Sequence, residues 1–203
     1  MEQILERSAE KLLTDSDIKK ILLSAMYEED NCPPVIAYHQ LSNIDDIDEL
    51  FTRFSDKPTD AIVIVYERER NSGHYTCIIK HKERNGVSSE PCSFHYEFFD
   101  SYGTNHPDSE LRYSDYNAEF ENRHSPLYNH SLFYLLKGHR WISNNYKFQL
   151  DKPNYGHFKD NTCGRQVAVR IIFKHLDLKK YYDLFKNCRE ISLEITKMTF
   201  LIV

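Results

Sequence analysis

DAIVIVYERERNSGHYTCIIKHKE, residues 60–83, holds two apolar runs separated by a short polar segment. The first run, 60–69, is rich in β-branched residues and bounded by Pro58 and a charged turn, which is the pattern of a buried strand. The second, 74–83, follows the turn-forming segment RNSG and reads as its hairpin partner. A third run, CSFHYEFFDSYG at 92–103, is reached through the turn region NGVSSEP and predicts a strand ending at Asp100.

Helical spacing lies on both sides of these strands. Ile4, Leu5, Ala9, Leu12 and Leu13 recur at helical intervals, and TDSDIKKILLSAM restarts the pattern with Asp15 or Ser16 as the expected N-cap. NCPPVIAYHQL breaks it with two prolines. IDDIDELFTRF predicts a third helix with Ile44, Ile47, Leu50, Phe51 and Phe54 on one side. The span from Asn105 to Asn129 is polar and tyrosine-rich and carries no clear period. SLFYLLKGH reads as a helix, and RWISNNYKFQLD is expected to contain a fourth strand. After Cys163, Val167, Ala168, Ile171, Ile172 and His175 return to helical spacing, and LDLKKYYDLFK and EISLEITKMTFLIV add a further helix and an apolar tail. Strands joined by hairpins and flanked by helices predict an α+β fold with a central mixed or antiparallel sheet, not alternating βαβ units. With no repeat or linker, one domain spanning 1–203 is expected: a mostly helical part at 1–57 and a core at 58–203.

Composition narrows the function classes. The 203 residues are 40% hydrophobic and include 14 Tyr and 12 Phe, enough to build a core. A net charge of -5 argues against nucleic acid as the main partner, because phosphate binding needs concentrated Lys and Arg. Cys32, Cys77, Cys92, Cys163 and Cys188 form an odd, scattered set without CxxC pairs, unlike a disulfide framework or a zinc site. His81, His95, His106, His124, His130, His139, His157 and His175 fall into no HExxH or paired Cys/His spacing, so no metal and no cofactor is expected. The chain start is charged and amphipathic, and no apolar run approaches the roughly 20 residues of a membrane span. A soluble protein of a reducing compartment, with no membrane partner, is the expectation.

Three polar residues sit where elements begin or end. His74 opens a strand, Asp100 closes the next, and Cys163 opens a helix. Singly, each has a commoner structural role: a buried small hydrophobe for Cys, a solvated residue beside a turn for His, a turn former for Asp. Together they meet a chemical need. A thiol attacks a carbonyl as thiolate; a helix N-terminus and a neighbouring imidazolium favour that anion, and a carboxylate behind the imidazole fixes its tautomer. The backbone N–H of Cys163 is a candidate oxyanion donor, and Gln149 lies upstream as a side-chain donor. Gly164 would leave room beside the nucleophile for a substrate backbone. Cys77, three residues after His74, falls on the opposite strand face and reads as core. Cys32, Cys92 and Cys188 have no activating pattern around them, and Ser101 reads as a turn residue.

GHYTCIIK, FFDSYG and NTCGRQVAVR, in this order, resemble the adenovirus-type (adenain-like) maturation proteases and the related proteases specific for ubiquitin-like proteins. FFDSYG followed by HPDSEL, NNYKFQ and NTCGR is most similar to the variants found in virophages, Maverick/Polinton elements and large DNA viruses. The resemblance covers about Asp60 to His175. It implies a papain-like cysteine protease fold, with Cys163 as nucleophile, His74 as general base and acid, Asp100 orienting His74, and Gln149 completing the oxyanion hole. Two departures are visible: Tyr75 stands where the family more often has Trp, and the gap from Gln149 to Cys163 is long, which leaves Asn161 as another possible donor. The resemblance further implies a monomeric viral endopeptidase that cuts capsid or core precursors during virion maturation, often after Gly. It would act in the host cytoplasm or virus factory, be packaged in the virion, and take an activating peptide. A deubiquitinating or deSUMOylating isopeptidase, and a non-enzymatic capsid-associated module, are the alternatives.

Overall fold

The protein is described by a computed structural model that covers residues 5, 8, 11–25, 27–69, 72–83, 93–104, 106–113, 132–144, 161–188, 191–200 and 202. Its centre is a five-stranded mixed sheet in the order β1-β2-β3-β4-β5: Val35–Ala37, Ala61–Glu69, Ser72–Lys82, Phe94–Asp100 and Trp141–Ser143. The three long strands pair antiparallel, as the hairpin signals predict, while the two short edge strands run parallel to their neighbours. Among the described residues six α-helices complete it: α1 Asp15–Ser24, α2 Leu50–Arg53, α3 Leu132–Leu136, α4 Cys163–Ile172, α5 Leu178–Asp183 and α6 Ile191–Thr199. The fold is therefore α+β, with a mixed sheet flanked by helices.

Residues 61–66 form a continuous apolar run because both faces of the sheet are covered. Ala61, Val63 and Val65 join Tyr75, Cys77, Ile79 and Phe99 under α1, α4 and α5. The alternate residues Ile62, Ile64 and Tyr66 join Ile78, Tyr96 and Phe98 beneath Ile36, Tyr38, Leu41, Ile44, Leu50 and α3. Cys77 is accordingly core, on the face opposite His74. The four described cysteines, Cys32, Cys77, Cys163 and Cys188, are free thiols. No helix of the described residues is long and apolar enough to cross a membrane.

Several local expectations change. Thr14, not Asp15 or Ser16, caps α1: its hydroxyl accepts from the Asp17 amide at 3.3 Å while Asp17 accepts from the Thr14 amide at 3.2 Å, a reciprocal capping box. The single helix expected over IDDIDELFTRF is a 3₁₀ turn, Ile47–Glu49, followed by the short α2; the Asp46 carboxylate accepts from the Asp48 amide and sets the tight turn. The prolines at 33 and 34 do more than break a helix. They lead into β1, which pairs Val35 with Val63 and receives the Val63 amide on the Pro34 carbonyl at 3.0 Å. The N-terminal part thus adds a strand to the sheet and shares its core. The helix expected before Leu13 lies mostly outside the described residues.

Helix α4 is fastened to β4 by a buried ion pair. Arg170 Nε and a terminal nitrogen donate to the two carboxylate oxygens of Glu97 at 2.6 and 2.7 Å, with the side chains 0% and 1% exposed. The same guanidinium donates to the Phe173 and Leu176 carbonyls that follow the helix and lies 4.9 Å from the Tyr181 ring. Burial opposes the charge on both partners; on Glu97 a hydrogen bond with His81 Nε2 at 3.1 Å and the paired bonds from Arg170 outweigh it and lower the pKa, while on Arg170 the bonds to Glu97 raise it. Removing Arg170 takes the bidentate partner from a buried Glu97 and leaves it the His81 contact. Arg170→Met should therefore cost about 3–5 kcal/mol in urea unfolding at neutral pH, and adding Glu97→Leu should restore part of the loss. A single variant within about 1 kcal/mol of wild type would contradict this role.

Candidate active site

β4 stops at Asp100, which pairs with Thr76, whereas β3 runs on to Ser72. His74 therefore lies past the last β3–β4 pair, at an open corner of the sheet, with Tyr66 of β2 as its cross-strand neighbour. Gly73 lets the strands close there: a Cβ at this position would fall 2.5 Å from the Tyr66 carbonyl oxygen. After Asp100 the chain turns back, the Gly103 amide donating to the Asp100 carbonyl at 2.9 Å, and Gly103 takes φ 70°, the left-handed conformation that suits glycine.

At this corner His74 Nε2 meets Asp100 Oδ1 at 2.7 Å, with His74 1% and Asp100 0% exposed. The same Oδ1 accepts from the Tyr102 amide at 2.8 Å, and the other carboxylate oxygen accepts from the Thr104 hydroxyl. The Tyr102 ring stacks on the imidazole, 4.1 Å between centroids and 11° between planes. Behind the strand end, the Asn144 side chain accepts from the Asp100 amide at 2.7 Å and donates to the Asp100 carbonyl, fixing the backbone that carries the carboxylate.

Cys163, buried at 8% exposure, is the first residue of α4, and Thr162 is its N-cap. The amides of the first turn have no intrahelical acceptor and point their dipoles toward this end. The thiol acts on the imidazole: burial opposes the cation on His74, and Asp100 followed by Cys163 outweighs it, holding the His74 pKa well above the usual imidazole value. His74 Nδ1 makes no hydrogen bond among the described residues. For Asp100, burial works against the carboxylate, and His74, Thr104 and the Tyr102 amide together lower its pKa. The structure thus brings together Cys163, His74 and Asp100. Gln149 lies outside the described residues.

Gly164 serves packing and not an open space. A Cβ there would lie 3.1 Å from Ile18 Cδ1 and 3.4 Å from Tyr75, so glycine lets α4 sit close on α1 and β3. Tyr75 itself donates its hydroxyl to Asp15 at 2.9 Å and to the Leu13 carbonyl at 3.3 Å, which ties the start of α1 to the site. That bond gives a tyrosine at this position a task a tryptophan would not perform in the same way. Thr104 carries no periodic or motif signal, and Tyr102 and Asn144 lie inside FFDSYG and NNYKFQ without any role that the sequence assigns them. Among the described residues, His74, Asp100 and Glu110 offer ligand atoms within 4.8 Å of one another. The direct contact of 2.7 Å between His74 and Asp100 leaves no gap for an ion between those two.

The His74–Asp100 pair makes stability depend on pH. The folded His74 value lies above its unfolded value of about 6.5, so its contribution is complete below that pH and lost as pH rises through the folded value. The folded Asp100 value lies below its unfolded value of about 3.9, so its contribution is complete above that pH and lost as pH falls through the folded value. The difference in urea midpoint between wild type and Asp100→Asn should be largest between about pH 4 and 6.5 and shrink on either side. A difference independent of pH would contradict the pairing.

No family model matches the chain. Among solved structures it is similar to two crystal structures of the ASFV pS273R protease, one of them selenomethionine-labelled. They are 14% and 13% identical, with TM-scores of 0.49 and 0.45, over 95% of this chain and 68% and 69% of those chains. Among curated proteins it is 32% identical to the uncharacterized protein V9 of Sputnik virophage over 158 residues, covering 76% of this chain and 77% of that protein. At that identity and coverage, the chain belongs to the same family as the Sputnik virophage protein V9.

Proposed function

We propose that this chain is a viral cysteine peptidase of the adenovirus-type and ubiquitin-like-protein-protease group, with Cys163 as nucleophile, His74 as general base and acid, and Asp100 as the residue that orients His74. One observation carries the reading: a buried imidazole held at Nε2 by a carboxylate, with a helix-opening thiol acting on the same ring. Cys163 passes its proton to the ring and Sγ attacks the scissile carbonyl carbon; the carbonyl oxygen becomes the oxyanion, and His74 returns the proton to the leaving amine. A water then attacks the thioester, giving a proton to His74, and the acid product leaves as Cys163 recovers its hydrogen. Asp100 supports the imidazolium in both halves, and Tyr102 stacked on the ring restricts its rotation. The first-turn amide of Cys163 is one oxyanion donor, with Gln149 proposed as the second.

The proposed substrates are capsid or core precursor proteins of the encoding virus, cut during particle maturation, with the enzyme working as a monomer in the virus factory and packaged in the virion. An activating peptide is part of the same proposal; DNA is not, given the net charge of -5. The test is to incubate wild type and Cys163→Ala with those precursors and with ubiquitin-type active-site probes. Wild type should process the precursors and Cys163→Ala should lose cleavage by about 10³-fold or more. Unchanged cleavage by the variant would overturn the nucleophile. Probe labelling without precursor processing would move the substrate to a ubiquitin-like protein, and cleavage of neither class would leave a non-enzymatic particle module.

A further inference from the structure

HPDSEL at 106–111 crosses the same corner of the sheet, and its placement is built from both sides. The Tyr66 hydroxyl donates to the Pro107 carbonyl, and the Tyr38 hydroxyl donates to Asp108 at 2.7 Å. Asp108 in turn accepts from the Phe133 amide at the start of α3. These bonds pin a 3₁₀ turn, Ser109–Tyr113, over the strand end. Glu110 in that turn is 4% exposed, and its carboxyl oxygen lies within 4.8 Å of both the His74 nitrogen and the Asp100 oxygen. A glutamate is seldom so buried unless something holds it there, and here the surrounding loop is anchored by two core tyrosines.

Resting on the peptidase reading, we infer that Glu110 is a positioning residue of this site: a second carboxylate that acts with Asp100 to favour the imidazolium form of His74. Two carboxylates this close repel each other. That cost is offset on Asp100 by its donors, His74, the Tyr102 amide and the Thr104 hydroxyl. Glu110 makes the ring a better acceptor for the thiol proton of Cys163 while Asp100 alone fixes its orientation. The titratable groups facing His74 are Tyr66 from β2, Asp100 from β4, Tyr102 from the turn, Glu110 from the 3₁₀ turn and Cys163 from α4. Of these, Asp100 and Cys163 raise the His74 pKa, and Glu110 sets a second carboxyl group beside the same ring.

Glu110→Gln keeps the shape and removes the charge. By NMR, the His74 ring should titrate lower in this variant by on the order of one unit, and the alkaline limb of kcat/KM should move down with it. Glu110→Asp, which keeps the charge on a shorter side chain, should restore most of both shifts, as a packing role alone would not. An unmoved His74 titration in folded Glu110→Gln overturns the inference. If that variant does not fold, Glu110→Ala decides: a downward His74 shift that Glu110→Asp largely restores supports the role, and an unmoved His74 titration in Glu110→Ala overturns it. The same titrations in the Cys163→Ala background need no activity. A shift there, together with a wild type that cleaves neither the precursors nor a ubiquitin-type substrate, would sink the peptidase reading and leave the placement of Glu110 intact.

Discussion

The site depends on one buried contact, the paired hydrogen bonds between Arg170 and Glu97. Cys163 and Asp100 belong to different layers: one opens a helix on the first face of the sheet, the other ends a strand. Arg170 lies two turns along the helix from Cys163, and Glu97 lies three residues before Asp100. Fastening these two interior points fixes the distance and angle between the two ends. The guanidinium also takes up the carbonyls that follow the helix, so α4 is held at its C-terminal end and is free to present its N-terminal end at the corner. An apolar pair could supply similar stability; the two parallel hydrogen bonds add a defined direction between helix and strand.

Strand lengths then create the corner. β3 outlasts β4, so His74 has a neighbour on one side and an opening on the other, and the turn Asp100–Gly103 folds Tyr102 onto the ring. One carboxylate oxygen of Asp100 serves both the turn and the imidazole. The same interaction that closes the backbone turn therefore places the acceptor behind His74. Asn144, just past β5, locks that backbone from the other side, which gives the short parallel edge strand a use beyond closing the sheet.

The sequence exposes the parts of this arrangement that rest on local pattern. Residues 60–69 and 74–83 are legible as a hairpin because burial on both faces makes them continuously apolar, and Asp100 marks a strand end because polarity resumes there. The helix opening at Cys163 is equally plain from the spacing after it. What stays hidden depends on contacts distant in sequence. β1 is three residues long and joins the sheet through a parallel pairing with Val63. Arg170 and Glu97 stand 73 residues apart, and no local pattern marks them as partners. Glu110 sits in a polar stretch, and the turn that carries it is tied to the core by the hydroxyls of Tyr38 and Tyr66, distant in sequence. Gly164 suggests space for a ligand, and only the position of Ile18 shows that the space is filled by packing.

The central claim is that Cys163 is a thiol set apart by His74, and limited alkylation measures that directly. Cys188 is partly exposed, whereas Cys163 is 8% exposed, so access alone would favour Cys188. Under substoichiometric iodoacetamide with peptide mapping by mass spectrometry, Cys163 should be modified ahead of Cys188, and His74→Gln should abolish that advantage without changing the rate at Cys188. Preferential labelling of Cys188, with a Cys163 rate indifferent to the substitution at His74, would contradict the account.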